Sequence, residues 1–175
     1  MRCGVGLIDG ETQVVELLTT SATKEDHALE LVGTVKLKGH YVLESVFEYW
    51  KVQKEYHPVL KGNSLKKYYE LVRPHIDIPD WQSINIQYGY FFYFPEGALY
   101  TWAEKEFVEE ELRIFRKFTS VLGLTYRRYL DLKEAETRAR EAEQQASVDR
   151  VRAEIATMRT ADDLQRITPR SSGVN

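Results

Sequence analysis

Four histidines, one cysteine and a run of glutamates are the groups in this 175-residue chain whose types suit chemistry. His27, His40, His57 and His75 are scattered. No two of them form the His-Glu-x-x-His spacing that puts two ligands on one helix face, and none lies at ligand spacing from Cys3. His57, beside Pro58 in a short extended stretch, could serve as an axial haem ligand if a pocket held one, but a structural histidine is the ordinary reading. Cys3 could anchor a bilin or act as a nucleophile, yet spacing places no histidine to draw off its proton, so an inert thiol is expected. The acidic cluster of Glu104, Glu106, Glu109, Glu110 and Glu111 could imitate a cation site. The positive end of a helix dipole already explains such crowding, so no metal site is expected.

The aromatic residues offer more. Tyr49, Trp50, Tyr68, Tyr90, Phe92, Tyr100 and Trp102, with Tyr41, Phe47 and Tyr88 near them, could line an apolar cleft between a sheet and the helices of residues 41–73. The plain alternative is a packed aromatic core. Buried tyrosine hydroxyls need partners, which favours a partly polar cavity, and the seven residues named first are the candidate ligand-binding set. No cofactor can be named from them.

The elements that must position these residues are legible from periodicity. Arg2 to Asp9 reads as a strand, Asp9-Gly10 as a hairpin turn with positive φ at both positions, and Gln13 to Thr20 as the returning strand. Ser21 to His27 is a loop. Ala28 to Leu37 is a third strand, with Gly33 as a bulge or a point of close approach. Tyr41 to Val52 has helical spacing, Tyr56 to Leu60 is short and extended, and a helix capped by Asn63 or Ser64 runs through Val72 until Pro74 stops it. After a loop from His75 to Ser83, the alternation of Ile84, Ile86, Tyr88, Tyr90, Phe92 and Phe94 gives the strongest strand, with those six on one face. Pro95-Glu96-Gly97 turns the chain, and Ala98 to Trp102 returns.

From near Lys105 to about Met158 the pattern is helical, a length of about 80 Å if unbroken. Val108, Leu112, Phe115, Leu122, Tyr126 and Tyr129, with Ile114, Phe118 and Val121 beside them, form a wide apolar face expected to cover a core. Beyond them the face narrows to Leu132, Ala135, Ala139, Ala142 and Ala146, the stripe of a helix that pairs with another helix. Tyr129, Leu132, Ala135, Ala139, Ala142 and Ala146 are therefore the expected dimer interface. Val148, Val151, Ile155 and Met158 form a stripe out of step with that seam, so the helix is expected either to bend near Ser147 or to turn a different face to a new partner. The stripe is expected to dock on an exposed sheet face of its own chain or a neighbour's. Thr160 to Asp163 has the form of a capping box opening a further helix, halted by Pro169. Both ends of the chain read as cut from something longer.

Formal net charge is −3, so no basic footprint points to nucleic acid. Acidic and basic residues alternate between Arg127 and Thr168, as on a solvated coiled-coil surface. A single cysteine rules out an internal disulfide and fits a reducing compartment. No apolar run reaches membrane-spanning length and the chain opens without a signal peptide, so a soluble, cytoplasmic protein with no membrane partner is expected.

The hairpin RCGVGLID…VVELL, the strands INIQYGYFFYF and ALYTW, and the exit helix FVEEELRIFRKFTSVLGLTYRRYLDLKEAE together resemble a GAF-type sensory domain followed by a signalling helix. The run from Arg127 to Ala142, then VDRVRAEIATM, resembles linkers of bacterial multidomain signalling proteins, including sensor histidine kinases and nucleotide cyclases. The segment VDRVRAEIATMRTADDLQRITP is similar to the helix that opens a following GAF-like domain. The chain lacks the asparagine-lysine, phenylalanine and aspartate-glutamate motif of the members that bind cyclic nucleotides. It also lacks a kinase histidine box, an ATP lid and a cyclase metal site.

The resemblance implies an α+β fold: a mostly antiparallel sheet with packed helices, then a long C-terminal helix forming a coiled coil. It implies a GAF-like body over residues 1–128 without its opening helix and a signalling helix over 129–147. It further implies the start of a following domain over 148–169 and a disordered tail over 170–175. The expected role is a bacterial regulatory input module, a homodimer that senses a small ligand or partner and relays it to an effector outside these residues. A ligand-free dimerisation and spacer domain is the alternative. No residue constellation argues for an enzyme.

Overall fold

The computed structural model describes residues 2–20, 29–76 and 81–167. The chain divides into two units, Met1–Thr125 and Tyr126–Asn175. The first holds a six-stranded antiparallel sheet with helices, so the α+β class expected from the sequence is the class observed.

The strands are β1 (Arg2–Asp9), β2 (Val14–Thr20), β3 (Leu29–Lys36), β4 (Val59–Lys61), β5 (Ile86–Phe94) and β6 (Gly97–Ala103), in the spatial order β3-β2-β1-β6-β5-β4. The β1–β2–β3 meander meets the β4–β5–β6 half of the sheet, in which a helix joins β4 to β5, where β1 pairs with β6, from Arg2 opposite Trp102 to Leu7 opposite Gly97. The chain must travel from one sheet edge to the other between β3 and β4, and α1 (Tyr41–Lys51) makes that journey. With α2 (Gly62–Val72) it covers one face of the sheet. Val42, Leu43, Val46 and Phe47 of α1 and Leu65, Tyr68, Tyr69 and Val72 of α2 are buried. Burying a large apolar side chain contributes roughly 1.5–3 kcal/mol.

The third helix, α3 (Glu109–Ile167), begins in the first unit and ends in the second. Its opening turns cover the other face of β5 and β6. Phe115 stacks on Phe92 and on Phe107, Phe107 stacks on Tyr90, and Gly123 comes so close to Phe94 that a Cβ there would lie 2.8 Å from the Phe94 Cβ. The same sheet face is open over β2 and β3, where Glu16, Val32, Thr34 and Lys36 are exposed.

Several local expectations need correction. The β1–β2 turn is a four-residue loop, Gly10 to Gln13, and not a two-residue one. Asp9 organises it by accepting hydrogen bonds from the Glu11 and Thr12 N–H groups and from the Thr12 hydroxyl, and Gln13 alone takes positive φ (55°). Those bonds hold the Asp9 carboxyl below its usual pKa. Neither Asn63 nor Ser64 caps α2; β4 runs straight into it through Gly62 at φ 55°, without a side-chain cap. The face of α3 that covers the sheet is narrower than its apolar content suggests. Leu112, Phe115 and Leu122 are half-buried around buried Thr119 and Gly123, whereas Val108, Ile114, Phe118, Val121 and Tyr129 are exposed.

The long helix also starts four residues later than expected. Val108 precedes it, its N–H donating to the Glu111 carboxylate at 2.9 Å, while Glu104 and Glu106 lie outside. It runs without a break through Ser147, whose hydroxyl donates to the Glu143 carbonyl, and through Thr160, so no new helix starts there. Val148, Val151, Ile155 and Met158 are exposed, and nothing in the described chain covers the stripe that was expected to dock. The expected tail over 170–175 lies outside the described residues.

Candidate functional site

The even-numbered residues of β1 face α1 and α2. Along this face run Arg2, Gly4, Gly6 and Ile8, a guanidinium followed by two residues without side chains. The bare positions leave room. A Cβ on Gly4 would meet the Tyr100 hydroxyl oxygen at 2.7 Å, so glycine lets the Tyr100 ring lie across β1. Between this face and the helices is a cavity of about 40 Å3. Its lining includes the aliphatic side chains of Val15, Leu17, Val35 and Val46 and the polar or aromatic ones of Arg2, Tyr68, Tyr100 and Trp102.

Arg2 dominates the chemistry there. Its Nη2 donates to the Tyr69 hydroxyl at 3.4 Å, and its guanidinium carbon lies 5.5 Å from the centre of the Tyr69 ring. Its Nε and Nη1 are buried and have no hydrogen-bond partner. Among the described residues no carboxylate pairs with it. The Tyr69 hydroxyl in turn donates to Gln87 Oε1, which anchors that ring to β5. Burial pushes the Tyr68 and Tyr100 phenols above their usual pKa, with the nearby Arg2 charge pulling the other way, so both keep their protons at neutral pH. Tyr68 also has a hydrogen bond with the Trp102 side chain.

Of the seven aromatic residues singled out from the sequence, the structure brings Tyr68, Tyr100 and Trp102 to this cavity. Tyr90 and Phe92 lie on the opposite face of the sheet, where the Tyr90 hydroxyl accepts from the Phe107 N–H at 2.9 Å. Tyr49 stacks on Tyr56 near the surface, and the Trp50 indole donates to the Pro95 carbonyl at 3.2 Å while its ring covers Gly10. Arg2 and Gly6 escaped the reading from sequence. Alternation along β1 was the available signal, since a charge on the same face as Ile8 is a charge aimed inward.

His40 and His57 have structural contacts, and His27 lies outside the described residues. His40 caps α1: its Nδ1 accepts from the Val42 N–H at 3.2 Å, so Nε2 carries the proton and donates to the Ser64 carbonyl at 3.1 Å. His57 lies against Tyr90 and Phe92 and pairs with Glu55 at 3.4 Å. Glu55 also receives Nε and Nη2 of Arg116 at 2.6 and 3.0 Å, and Arg116 reaches Glu109, a cluster that ties the start of α3 to the segment before β4. His57 is thus on the sheet face opposite the cavity. Cys3 is exposed, and partial desolvation raises its thiol pKa, the reverse of what a reactive thiolate requires. Among the described residues no group of three or more acidic, histidine or cysteine side chains could hold a metal ion, and no helix is long and apolar enough to cross a membrane.

A second candidate surface lies on α3. Ile114, Phe118 and Val121 are 65, 56 and 63 % exposed, and alternating steps of four and three from Ile114 pass through Thr125 and Arg128 to Leu132, Ala135, Ala139, Ala142 and Ala146. The expected interface residues Tyr129, Leu132, Ala135, Ala139, Ala142 and Ala146 are all exposed. Comparison of the chain with known protein families, with curated proteins and with solved structures finds no match in any of the three.

Proposed function

We propose that the chain is a regulatory input module of the GAF-like kind, in which a small molecule bound between β1 and the α1–α2 layer biases the pairing of α3 with a second copy. The observation that carries this reading is the cavity itself: a space between the sheet and the α1–α2 layer, with a guanidinium bearing two unpaired donors among the residues that line it. Burying unpaired donors of this kind costs several kcal/mol, so the position is intelligible where something completes it. The four-and-three rhythm along α3 supports the second half of the proposal, because it presents one apolar edge to a partner helix. For the relay to work, the ligand must bind one arrangement of the helix pair better than another.

A spacer domain without a ligand is the second reading. The size of the cavity favours it, since about 40 Å3 is far below the 300–1,000 Å3 of ordinary ligand pockets. The two are separated by thermal denaturation of the full chain against a library of small metabolites. A compound that raises the midpoint for the wild type and has no effect on Val46→Phe, which fills the cavity, supports sensing. No stabilising compound in such a library leaves the spacer.

A further inference from the structure

We infer that the cavity is a site for a short-chain carboxylate, with Arg2 as its anchor; this rests on the sensing reading and adds to it the class of ligand. Three features point the same way. The charge is positive and without a counter-ion among the described residues, and Nε and Nη1 are both buried and unpaired. Each of these nitrogens shares an edge of the planar guanidinium with Nη2, which uses one of its two hydrogens on Tyr69. A carboxylate can therefore take Nη2 together with Nε or with Nη1 as a two-pronged ligand, the geometry at which arginine is strongest.

Size and polarity then narrow the class. At the 10–15 Å3 that one water-sized group occupies, a cavity of about 40 Å3 admits some three such groups, which suits acetate or propionate and excludes a nucleotide, a haem or a bilin. Val15, Leu17, Val35 and Val46 also line the cavity, an aliphatic surface that complements a short apolar tail and offers nothing to the outer oxygens of a phosphate. The hydroxyls of Tyr68 and Tyr100 stay protonated and stand beside the cation, available as donors to a bound anion. Carboxylate and guanidinium neutralise one another inside the core, and the tail fills the remaining space.

The test uses the full chain, sodium acetate, propionate and butyrate at constant ionic strength, acetamide and propionamide as neutral shapes of the same size, and inorganic phosphate. Titration calorimetry and thermal midpoints are read for wild type, Arg2→Met and Val46→Phe. The expected result is a midpoint that rises with carboxylate concentration and not with amide or phosphate. Binding to Arg2→Met is expected to be about 10- to 100-fold weaker, the loss of charged hydrogen bonds, and the same variant without ligand is expected to melt no lower than the wild type, because it removes an unpaired buried charge. Equal responses to amide and carboxylate, both abolished by Val46→Phe, would overturn the carboxylate class while leaving sensing intact. Undiminished carboxylate binding by Arg2→Met would overturn the assignment of Arg2. The absence of any stabilisation by every probe would remove the carboxylate site, and a metabolite that still acts through Val46 would show that sensing survives it.

Discussion

Tyr93 carries a hydroxyl that is buried and has no hydrogen-bond partner, close to Tyr49 and Tyr56 on the α1 side of β5. Burial pushes its pKa far up, so the group is a neutral O–H whose interaction with water has been given up without replacement. Removing it should therefore help. Tyr93→Phe is expected to raise the stability of the chain by about 1 kcal/mol, the desolvation penalty of one unsatisfied polar group. Urea denaturation followed by tryptophan fluorescence measures this, and a loss of stability would mean that the hydroxyl has a partner in solution. Arg2 presents the same kind of orphaned donor, but its side chain lines a cavity. Tyr93 has packing around it and Arg2 has a cavity, so one reads as a leftover cost and the other as an unfilled valence. Neither was visible in the residue types. Both tyrosine and arginine occur mostly with partners, and only the positions of neighbouring atoms reveal a donor without one.

The elements were the most legible part of the molecule. The order strand, strand, strand, helix, strand, helix, strand, strand, long helix is the order observed, because each segment carries its own periodicity and its own breakers. Gly33 illustrates how much one residue can say. It adjoins a register shift between β2 and β3, and a Cβ there would lie 1.9 Å from the His75 carbonyl oxygen, so it is both bulge neighbour and close-approach point. β5 shows the limit. Tyr90, Phe92 and Phe94 share one face as expected, but Gln87, Gly89 and Phe91 on the other face are buried as well, because helices cover β5 on both sides. Alternation tells which residues share a face and says nothing about which face is the deeper. The candidate pocket therefore mixed residues from two sides of one sheet.

The connection between α1 and α2 makes an element-scale prediction. His40 bridges the two helix starts only while Nδ1 is unprotonated, since it must accept from Val42. Burial lowers its pKa below the usual 6.5, and the Lys67 charge works in the same direction while the Ser64 bond and Glu44 oppose it. A histidine whose folded pKa is depressed contributes stability that is complete above its unfolded value and is lost as pH falls below about 6.5. His57 is shifted the same way by burial, against the pull of Glu55, and adds to the slope. Stability measured by urea denaturation should accordingly fall between pH 7.5 and 5. His40→Asn keeps a capping side chain and removes the titration, so its slope should be shallower. One histidine sets a ceiling of about 1.4 kcal/mol per pH unit, and contact with solvent keeps the observed difference beneath it. Identical slopes for the two proteins would show that the cap does not titrate in this range.

At the scale of the whole molecule the question is what the apolar edge of α3 meets. A helix whose four-and-three positions carry Ile114, Phe118, Val121, Leu132 and four alanines, with all of these exposed, is expected to pair. The pairing cannot be strong along its whole length. Thr125 and Arg128 occupy two consecutive steps of the rhythm, and in a parallel dimer the two Arg128 charges would face one another. The alanines beyond them allow close approach but bury little area each. A seam firm at Ile114 to Val121, interrupted at Thr125 and Arg128, and shallow at Ala135 to Ala146 has the design of a pair that can shift, which is what a relay needs. Sedimentation equilibrium should find a dimer that Leu132→Lys converts to monomer and that Arg128→Leu tightens by about tenfold, one apolar pair replacing a repulsive one. Its orientation is read by Ala139→Cys in a Cys3→Ser background, which forms a disulfide between copies only if the helices run parallel and in register. A wild-type chain that stays monomeric at every concentration, or a dimer indifferent to both Leu132→Lys and Arg128→Leu, would leave α3 without its partner and the cavity without a way to report that it is full.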